Sequence, residues 1–258
     1  MEILQFQLSG RLAHFRKYYA NNTAFSYFLP PRTTLKGVIA AAMGKEKDSY
    51  YEAFASEHIR LGVGVRTHLK KSFHRLNLLM IKGGSDFRGR LGRVQTPFEI
   101  VSGQDIRKDE VCYAVYVAPT TSGEATFEEI KQVFLEKQFQ YSISLGIAGM
   151  VGKISDIRLI AEREYRQWVV DGEDINLHTA VSTESVHRLN WDKNKKMHIE
   201  EELHPADFVE NGDRELRRMV RVLYTTDGSP LPVRYSGEYY QLNNLHSEPE
   251  NITFLDMS

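Results

Sequence analysis

The segment that most constrains the fold is an amphipathic pattern early in the chain. Apolar side chains recur there at i, i+3, i+4, i+7 and i+8: Leu35, Val38, Ile39, Ala42 and Met43. This spacing predicts a helix with one apolar face, and Gly44 predicts its end. Residues 2–9 alternate apolar and polar side chains, which predicts a strand. The Pro30-Pro31 pair favours extended backbone before the helix, where Thr33 or Thr34 can act as the cap.

Similar patterns continue to residue 160. Strands are predicted at residues 59–81, 94–101, 111–117, 141–145 and 154–160, and helices at 49–56 and 127–137. Thr126 and Glu129 have the spacing of a capping box for the second of these helices. The order β–α–β, insertion, β–α–β predicts an α+β fold with a ferredoxin-like (RRM-like) domain.

The remainder of the chain is rich in strand patterns and in acidic residues. The predicted organisation is therefore a ferredoxin-like domain at 1–163 and a small β-rich C-terminal region at 164–258. A thumb-like β-hairpin is predicted as an insertion at about 76–96, inside the first domain.

Composition excludes several classes of protein. The chain has 258 residues, 41% hydrophobic and 26% charged, which is a globular balance rather than a disordered one. No apolar run approaches the length of a membrane span, and the run at residues 38–43, for example, has six residues. The first six residues lack the pattern of a secretory signal, so the cytoplasm is expected. A single cysteine, Cys112, excludes an internal disulfide and a multi-cysteine zinc site, and neither metal nor cofactor is expected.

Charge is unevenly distributed along the chain. Residues 1–108 carry a net charge of +10 and residues 109–258 a net charge of −11, although the whole chain has −1. Such a chain can present a basic face to a polyanion and an acidic face elsewhere. Alternatively, the two halves interleave in the fold and the surface is mixed.

The loop and first turn of the predicted helix are the first candidate ligand site. A helix N-terminus with hydroxyl and basic side chains can hold a phosphate, and nearby aromatics can stack on unpaired bases. The alternative is a packed loop with simple capping threonines. The candidate RNA-binding residues in this segment are Arg16, Lys17, Ser26, Tyr27, Pro31, Arg32, Thr33, Thr34 and Lys36.

Two glycine-containing segments are further candidates. Arginines separated by glycines suit a loop that follows a phosphate backbone, although a solvated hairpin tip is the alternative. Glycines at even spacing allow close approach of another chain, although an ordinary turn explains them equally well. The candidate residues are Arg88, Arg90, Arg93 and Gln95 in the first segment, and Gly146, Gly149 and Gly152 in the second.

Candidate catalytic groups are few. No pair among the nine histidines has the spacing of a zinc protease. Metal-independent RNA cleavage needs a general acid and a general base. His14 with Tyr27, or His68 with its neighbouring lysines and His74, could supply them. A structural or merely exposed histidine is the simpler interpretation in each case, and no catalytic residue is predicted.

Residues 10–44, GRLAHFRKYYANNTAFSYFLPPRTTLKGVIAAAMG, resemble the N-terminal motif of a CRISPR-associated family. This family is the 5′-handle-capping subunit of type I interference complexes (Cascade), in the RAMP superfamily. Residues 93–99 (RVQTPFE) and 144–146 (SLG) resemble two further family motifs, and the resemblance covers roughly residues 1–160. The positions that match the N-terminal motif are Ala13, Phe15, Arg16, Ser26, Tyr27, Pro30, Pro31, Thr33, Leu35, Gly37, Ile39, Ala40, Ala41 and Gly44.

The resemblance implies a subunit that binds the 5′ handle of the guide RNA (crRNA). It further implies that the protein caps the backbone filament, contacts the backbone and large subunits, and reaches target DNA through the complex. We then expect Arg16→Ala or Arg32→Glu to weaken handle binding in a salt-dependent way.

Two alternatives remain open. In type I-C systems, one branch of the family is the repeat endoribonuclease and uses a Tyr/Lys/His set. The SYFLPPRTT stretch at residues 26–34 looks more like the type I-B branch, in which a separate nuclease cuts the repeat, so a non-catalytic subunit is expected. The other alternative is an RRM-like RNA binder without a CRISPR role.

Overall fold

The computed structural model of the chain describes residues 1–20, 23–191, 196–209, 214–243 and 248–255. Within these residues the protein is an α+β fold built mostly of strands, and none of its helices is long and apolar enough to cross a membrane. Its helices and strands are β1 (Ile3–Gly10), β2 (Leu12–Ala13), β3 (Phe15–Arg16), β4 (Ser26–Tyr27), α1 (Arg32–Met43), β5 (Ile59–Val65), β6 (Leu69–Leu79), β7 (Arg93–Gly103), β8 (Val111–Pro119), α2 (Glu124–Leu135), β9 (Gly152–Ile160), β10 (Tyr165–Leu177), β11 (Val181–Ser182), β12 (Val186–Leu189), β13 (Ile199–Phe208), β14 (Leu216–Thr225), β15 (Leu231–Leu242) and β16 (Glu250–Ile252).

The N-terminal half is organised around a four-stranded antiparallel sheet in the order β5-β8-β1-β9. Alternation along β1 places Leu4, Phe6 and Leu8 in the main core, which also contains the apolar residues of α1 and α2. The rings of Phe6 and Phe134 lie 4.8 Å apart at this contact. The predicted opening, a strand followed by an amphipathic helix that packs on a sheet, is therefore confirmed.

The C-terminal region covers the sheet on its other side and also reaches the main core. Tyr240, Ile252 and Phe254 pack in one cluster with residues of β1 and β8. Ala206 of β13 and Val222 of β14 belong to the same core as α1. The strands of this region form two three-stranded antiparallel arrangements, β10-β15-β12 and β11-β14-β13, and β16 also pairs with β15.

A long hairpin extends from the N-terminal half. Strands β6 and β7 pair antiparallel from Leu69↔Gly103 to Leu79↔Arg93, and β2 adds to the base of β7. The connection contains a short 3₁₀ helix, Gly84–Arg88. The predicted insertion at 76–96 lies within this hairpin, and most of its side chains are exposed.

The helix starts differ from the predicted ones. Pro31 precedes α1 with extended backbone, and its carbonyl accepts hydrogen bonds from the amides of Thr34 and Leu35, so no threonine side chain caps the helix. Gly123 precedes α2, which starts at Glu124. The predicted capping box at Thr126 is therefore wrong because the helix has already begun there. At the other end of α1, Gly44 adopts the left-handed conformation with φ 74°, as its type predicts.

Three further segments correct the sequence expectations. Residues 49–56 contain turns at 51–54 and a bend at 55 instead of a helix. Residues 141–145 contribute one isolated bridge, Ser144↔Val151, instead of a strand. Strand β13 was not predicted because the acidic run Glu200–Glu202 hides its alternation, although Glu202 faces inward and is buried.

Candidate nucleic-acid interface

A cleft of about 420 Å³ opens where the first turn of α1 meets the loop before β9 and the C-terminal region. We call it the first cleft. It is lined by His14, Phe15, Arg16, Tyr18, Pro31, Thr33, Thr34, Gly37, Val38, Ala41, Tyr50, Tyr51, Ser142, Ile143, Ser144, Gly146, Ile147, Pro205, Phe208 and Arg214.

The charged side chains that line the first cleft are basic, although Asp48, which does not line it, pairs with one of them. Arg16 and Arg214 are its charged side chains, and no carboxylate is found among the described residues that line it. Thr33 and Thr34 add hydroxyl groups from the first turn of α1, which contains no acidic residue. Since a helix N-terminus carries a partial positive charge, the helix and both guanidinium groups favour an anion in this cleft.

Strand geometry explains why Arg16 faces the first cleft. In the small β3–β4 ladder, Phe15 pairs with Tyr27 and Arg16 pairs with Ser26. Phe15 is buried, with its ring 5.9 Å from that of Tyr113. Because successive side chains of a strand point to opposite faces, burial of Phe15 places Arg16 at the surface.

Gly146 belongs to the cleft for a steric reason. Its φ is +96°, and a Cβ at this position would lie 1.9 Å from the backbone oxygen of His14. The His14 amide donates to the backbone oxygen of Leu145 at 3.0 Å, which fixes the two segments together. A glycine is therefore required here by the close approach of protein backbone.

The His14 ring belongs to the support of this cleft. It stacks on Phe98 at 4.1 Å, and its Nδ1 lies 2.7 Å from the backbone oxygen of Glu99. Burial lowers the pKa of His14, so the ring is neutral at pH 7. It therefore adds no charge to the site.

Aromatic side chains form much of the remaining wall. The ring of Phe208 lies 6.3 Å from that of Tyr18 and 5.6 Å from that of Tyr51. Tyr18 is 49% exposed. Rings with accessible surface beside cationic groups are the combination that binds single-stranded nucleic acid, because bases stack while phosphates pair with the cations.

Arg32 and Lys36 correct the sequence prediction. Both side chains are buried beneath the first cleft and form ion pairs with Asp207 of β13, at 3.6 Å in the case of Arg32. Arg32 also donates to the backbone oxygens of Phe54 and Ile59. Burial alone would raise the pKa of Asp207, but the charges of Arg32 and Lys36 hold it well below its usual range. These two cations therefore anchor the C-terminal region to α1 and are not available to a phosphate.

Ser26 and Tyr27 are also structural. The Ser26 hydroxyl accepts from the amide of Phe15 at 2.9 Å and donates to the Tyr27 carbonyl at 2.7 Å. The Tyr27 hydroxyl donates to the backbone oxygen of Leu203 at 2.9 Å. Both side chains are fully buried, so they hold the segment in place instead of contacting a ligand.

Lys17 lies in a different cleft, the second cleft, of about 730 Å³. Its Nζ lies 3.0 Å from the carboxylate of Glu202, and Nζ of Lys71 lies 3.2 Å from the same group. Lys17 is therefore paired internally. The second cleft is lined by Lys17, Phe28, His68, Leu69, Lys70, Lys71, Glu99, Gln104, Lys196, Met197, His198, Ile199, Glu200, Glu201, Glu202 and Thr226.

The remaining predicted residues lie outside both clefts. Gly149 is exposed in the loop before β9, and Gly152 pairs with Gly10 inside the sheet. The hairpin carries the other four, all exposed: Arg88, Arg90, Arg93 and Gln95. The structure thus brings together Arg16, Pro31, Thr33, Thr34 and Gly146 from the predicted set.

Sequence reasoning missed the wall that the C-terminal region supplies. Pro205, Phe208 and Arg214 line the first cleft although they are far from its other residues in the chain. No local pattern marks them, because their position depends on how β13 packs against α1. The aromatic residues near Tyr18 in the sequence indicated an aromatic site, but they did not indicate that Phe208 belongs to it.

Candidate catalytic side chains come together in the second cleft. The rings of His68 and His198 lie 5.0 Å apart in the second cleft, beside Lys70 and Lys71. In the part of the chain that the structure describes, no group of three or more His, Cys, Asp or Glu side chains is placed to hold a metal ion.

Comparisons with known proteins give a consistent result. The model of the family described as CRISPR-associated protein (Cas_Cas5) matches residues 3–167. No curated protein matches the sequence. A solved structure described as a CRISPR protein from Archaeoglobus fulgidus shares the fold, with a TM-score of 0.55 and 13% identity over 98% of this chain and 100% of that chain.

Two weaker structural similarities were also found. A chain described as a CRISPR RNA-guided surveillance complex has a TM-score of 0.46 and 13% identity, over 89% of this chain and 91% of that chain. A structure described as a Cas protein has a TM-score of 0.46 and 17% identity, over 91% and 98%.

Proposed function

Because the chain belongs to the CRISPR-associated protein (Cas_Cas5) family, we propose that it is a non-catalytic subunit of a type I CRISPR surveillance complex (Cascade). In this proposal it binds the 5′ handle of the crRNA in the first cleft. It also caps the backbone filament and contacts the backbone and large subunits, so that it reaches target DNA through the complex.

The observation that carries this proposal is the composition of the first cleft. Two arginines, two threonine hydroxyls and several aromatic rings line it, and no carboxylate is found among its described residues. A guanidinium can pair with a phosphate through two hydrogen bonds, while aromatic rings accept unstacked bases of any identity. A single RNA strand satisfies both kinds of group at once.

The topology supports the same proposal. The order β1–α1–β5–β8–α2–β9 along the chain and the order β5-β8-β1-β9 in the antiparallel sheet correspond to a ferredoxin-like domain. The related RRM is a common RNA-binding module. The β6–β7 hairpin takes the place of the predicted thumb, and we assign Arg88, Arg90, Arg93 and Gln95 to further contacts with the RNA.

Binding of a handle RNA to the full chain tests the proposal. Wild-type protein should bind a repeat-derived 5′ handle more tightly than a scrambled RNA of equal length, and affinity should fall with added salt. Arg16→Ala should weaken binding about tenfold and lower the salt slope by about 0.7, the value for one phosphate contact on a single strand. Arg107→Ala removes an exposed arginine outside both clefts and is the matched control.

Equal affinities for handle and scrambled RNA, together with equal effects of the two arginine substitutions, would show that the first cleft is not the handle site. Purification from cells provides a second readout. An assembly subunit should co-purify with a filament of backbone subunits, the large subunit and a guide RNA of uniform 5′ end. A stand-alone RNA binder should not.

The second cleft is the place to test the alternative activity, a metal-independent repeat endoribonuclease. It combines two adjacent histidines with Lys70 and Lys71, the types of group such cleavage requires. However, its four lysines are matched by four glutamates, so the cleft does not favour a phosphodiester. Labelled repeat RNA incubated with protein and EDTA should therefore stay intact. Cleavage at one position that His68→Ala abolishes would establish the endoribonuclease instead.

A further inference from the structure

We infer that the C-terminal region supplies half of the RNA site, with Arg214 and Phe208 contacting the same strand as Arg16. This inference rests on the proposed function. The family match ends at residue 167, so both residues lie outside the part of the chain that it covers. The structure nevertheless places them in the wall of the first cleft, which the first turn of α1 also lines.

Phe208 supplies aromatic surface at the junction of the two halves. It is the last residue of β13 and remains half-buried. Its ring is a neighbour of those of Tyr18 and Tyr51, at centroid distances of 6.3 and 5.6 Å. A base that stacks on Tyr18 would therefore meet Phe208 as well, because edge and face contacts between rings operate at these distances.

Arg214 supplies the second positive charge of the cleft. Its Nε donates to Oδ1 of Asp48 at 3.0 Å, and its side chain remains 53% exposed. Asp48 also accepts a hydrogen bond from the Tyr51 hydroxyl, so the carboxylate that holds Arg214 is itself held. The guanidinium is thus positioned from one side and open to solvent on the other.

Backbone geometry at this contact is unusual on both sides. Asp48 has φ 64° and Arg214 has φ 54°, the left-handed region that residues other than glycine rarely adopt. Strained conformations of this kind cluster at ligand sites. The two strained residues meet in one ion pair that fixes the C-terminal wall to the turn after α1.

The occupant that fits this cleft is one strand of RNA. The two arginines come from different halves of the chain and attract phosphates, while the aromatic rings of the same lining accept unstacked bases. The bases of a duplex are stacked on one another and would leave these rings without a partner. Handle binding would then also hold the C-terminal region against the N-terminal half.

Arg217 offers a matched control for Arg214. It lies on β14 and pairs with Glu57 at 3.0 Å and with Glu52 at 3.6 Å, so it also forms an ion pair between the two halves. Its side chain is 44% exposed, close to the value for Arg214, but it does not line the first cleft. Any loss of stability from removing such an ion pair should be similar for Arg214→Ala and Arg217→Ala.

The experiment measures handle-RNA affinity of the full chain over a range of salt concentrations. Arg214→Ala should weaken binding about tenfold and reduce the salt slope by about 0.7, and Arg217→Ala should change neither. Phe208→Leu keeps apolar volume but removes the ring, so it should weaken binding about tenfold with the slope unchanged. The double substitution of Arg16 and Arg214 to alanine should reduce the slope by about 1.4.

The outcomes separate this inference from the proposed function. If Arg16→Ala weakens binding while Arg214→Ala and Phe208→Leu behave like Arg217→Ala, the C-terminal wall does not contact RNA and the inference is overturned. In that case the proposed handle site stands. If wild-type protein shows no preference for the handle and Arg16→Ala has no effect, both proposals are overturned together.

Discussion

Two consecutive residues, Arg16 and Lys17, lie in two clefts of opposite character. Arg16 faces the first cleft, where the charged lining residues among those described are Arg16 itself and Arg214, which stays 53% exposed although Asp48 pairs with it from one side. Lys17 faces the second cleft, where four lysines meet four glutamates and its own charge is paired with Glu202. The comparison shows that a basic motif does not by itself create a polyanion site. Whether a basic side chain is available to a phosphate depends on how deeply it is buried and on which carboxylates the fold places beside it.

Glu202 accounts for most of the difference between the clefts. Its carboxylate is buried, pairs with Lys17 and Lys71, and accepts hydrogen bonds from the Tyr224 hydroxyl and the Phe28 amide. Burial alone would raise the pKa of Glu202, but the hydrogen bond with His204, the charge of Lys71 and the hydrogen bond from Tyr224 lower it well below its usual range. The second cleft is therefore a structural connection between the C-terminal region and the N-terminal half.

Among the predicted effects, the largest is the loss of stability when the Glu202 carboxylate is removed from the second cleft. Glu202→Gln should lower the free energy of unfolding by about 3–5 kcal/mol, because Lys17 and Lys71 lose the buried charge that compensates them. The neighbouring Glu201 forms an exposed ion pair with Arg221 at 2.9 Å, and Glu201→Gln should cost less than about 1 kcal/mol. Urea denaturation of both variants measures the difference, and equal losses would contradict the structural role of Glu202.

Alanine substitutions at Gly146 and Gly149 test how the loop before β9 packs at the first cleft. A Cβ at Gly146 would overlap the backbone oxygen of His14 and adopt a positive φ, so Gly146→Ala should destabilise the protein by about 2–4 kcal/mol. Nothing lies within 4 Å of a Cβ at Gly149, so Gly149→Ala should change stability by less than about 0.5 kcal/mol. Thermal unfolding followed by circular dichroism compares them. A neutral Gly146→Ala would mean that the loop is not packed on His14.

Acidity should weaken the support of both clefts. Burial lowers the pKa of His14 beside the first cleft, of His204 beside Glu202, and of His178. The unfolded chain, with an ordinary value of 6.5, therefore binds protons first as the pH falls. The contribution of these histidines to the free energy of unfolding should be fully present above about pH 7. Below pH 6.5 the free energy of unfolding should decrease, by up to about 1.4 kcal/mol per pH unit for each histidine.

Urea denaturation at pH 7.5, 6.5 and 5.5 checks this dependence. The carboxylates with lowered pKa, Glu202 and Asp207, lose their contribution only below their ordinary values of 4.5 and 3.8, outside this range. A stability that is constant or rises from pH 7.5 to 5.5 would show that the histidines are not held neutral by burial.

Removal of Lys17 should have the smallest effect of these substitutions on RNA binding. Lys17→Ala should leave the salt slope of handle-RNA binding at the wild-type value and change affinity by less than about twofold, because its charge is paired with the buried carboxylate of Glu202 and only 19% of its side chain is exposed. Titrations on folded protein, at a temperature well below its unfolding transition, make the measurement. A decrease in slope equal to that expected for Arg16→Ala would show that RNA reaches the second cleft as well.

Local patterns predicted the elements that depend on neighbours in sequence. The α1 face, its end at Gly44 and strand β1 followed from periodicity and from one glycine. The predicted site was less accurate where partners are distant in sequence. Arg32 and Lys36 are buried because they pair with Asp207 of β13. Strand β13 itself was hard to predict, because the inward-facing Glu202 interrupts the apolar face that a strand normally buries.

The sequence alone determined that this chain has a strand followed by an amphipathic helix, with Arg16 and two threonines near the start of that helix. It also carried the motif of residues 10–44 by which the family is recognised. Contacts between distant segments set which cations remain exposed, and they bring Phe208 and Arg214 into the same cleft as Arg16. A cation that is buried against a carboxylate, as Lys36 is against Asp207, is not available to a phosphate, and the packing of β13 and β14 against α1 that buries it is not encoded in any local pattern.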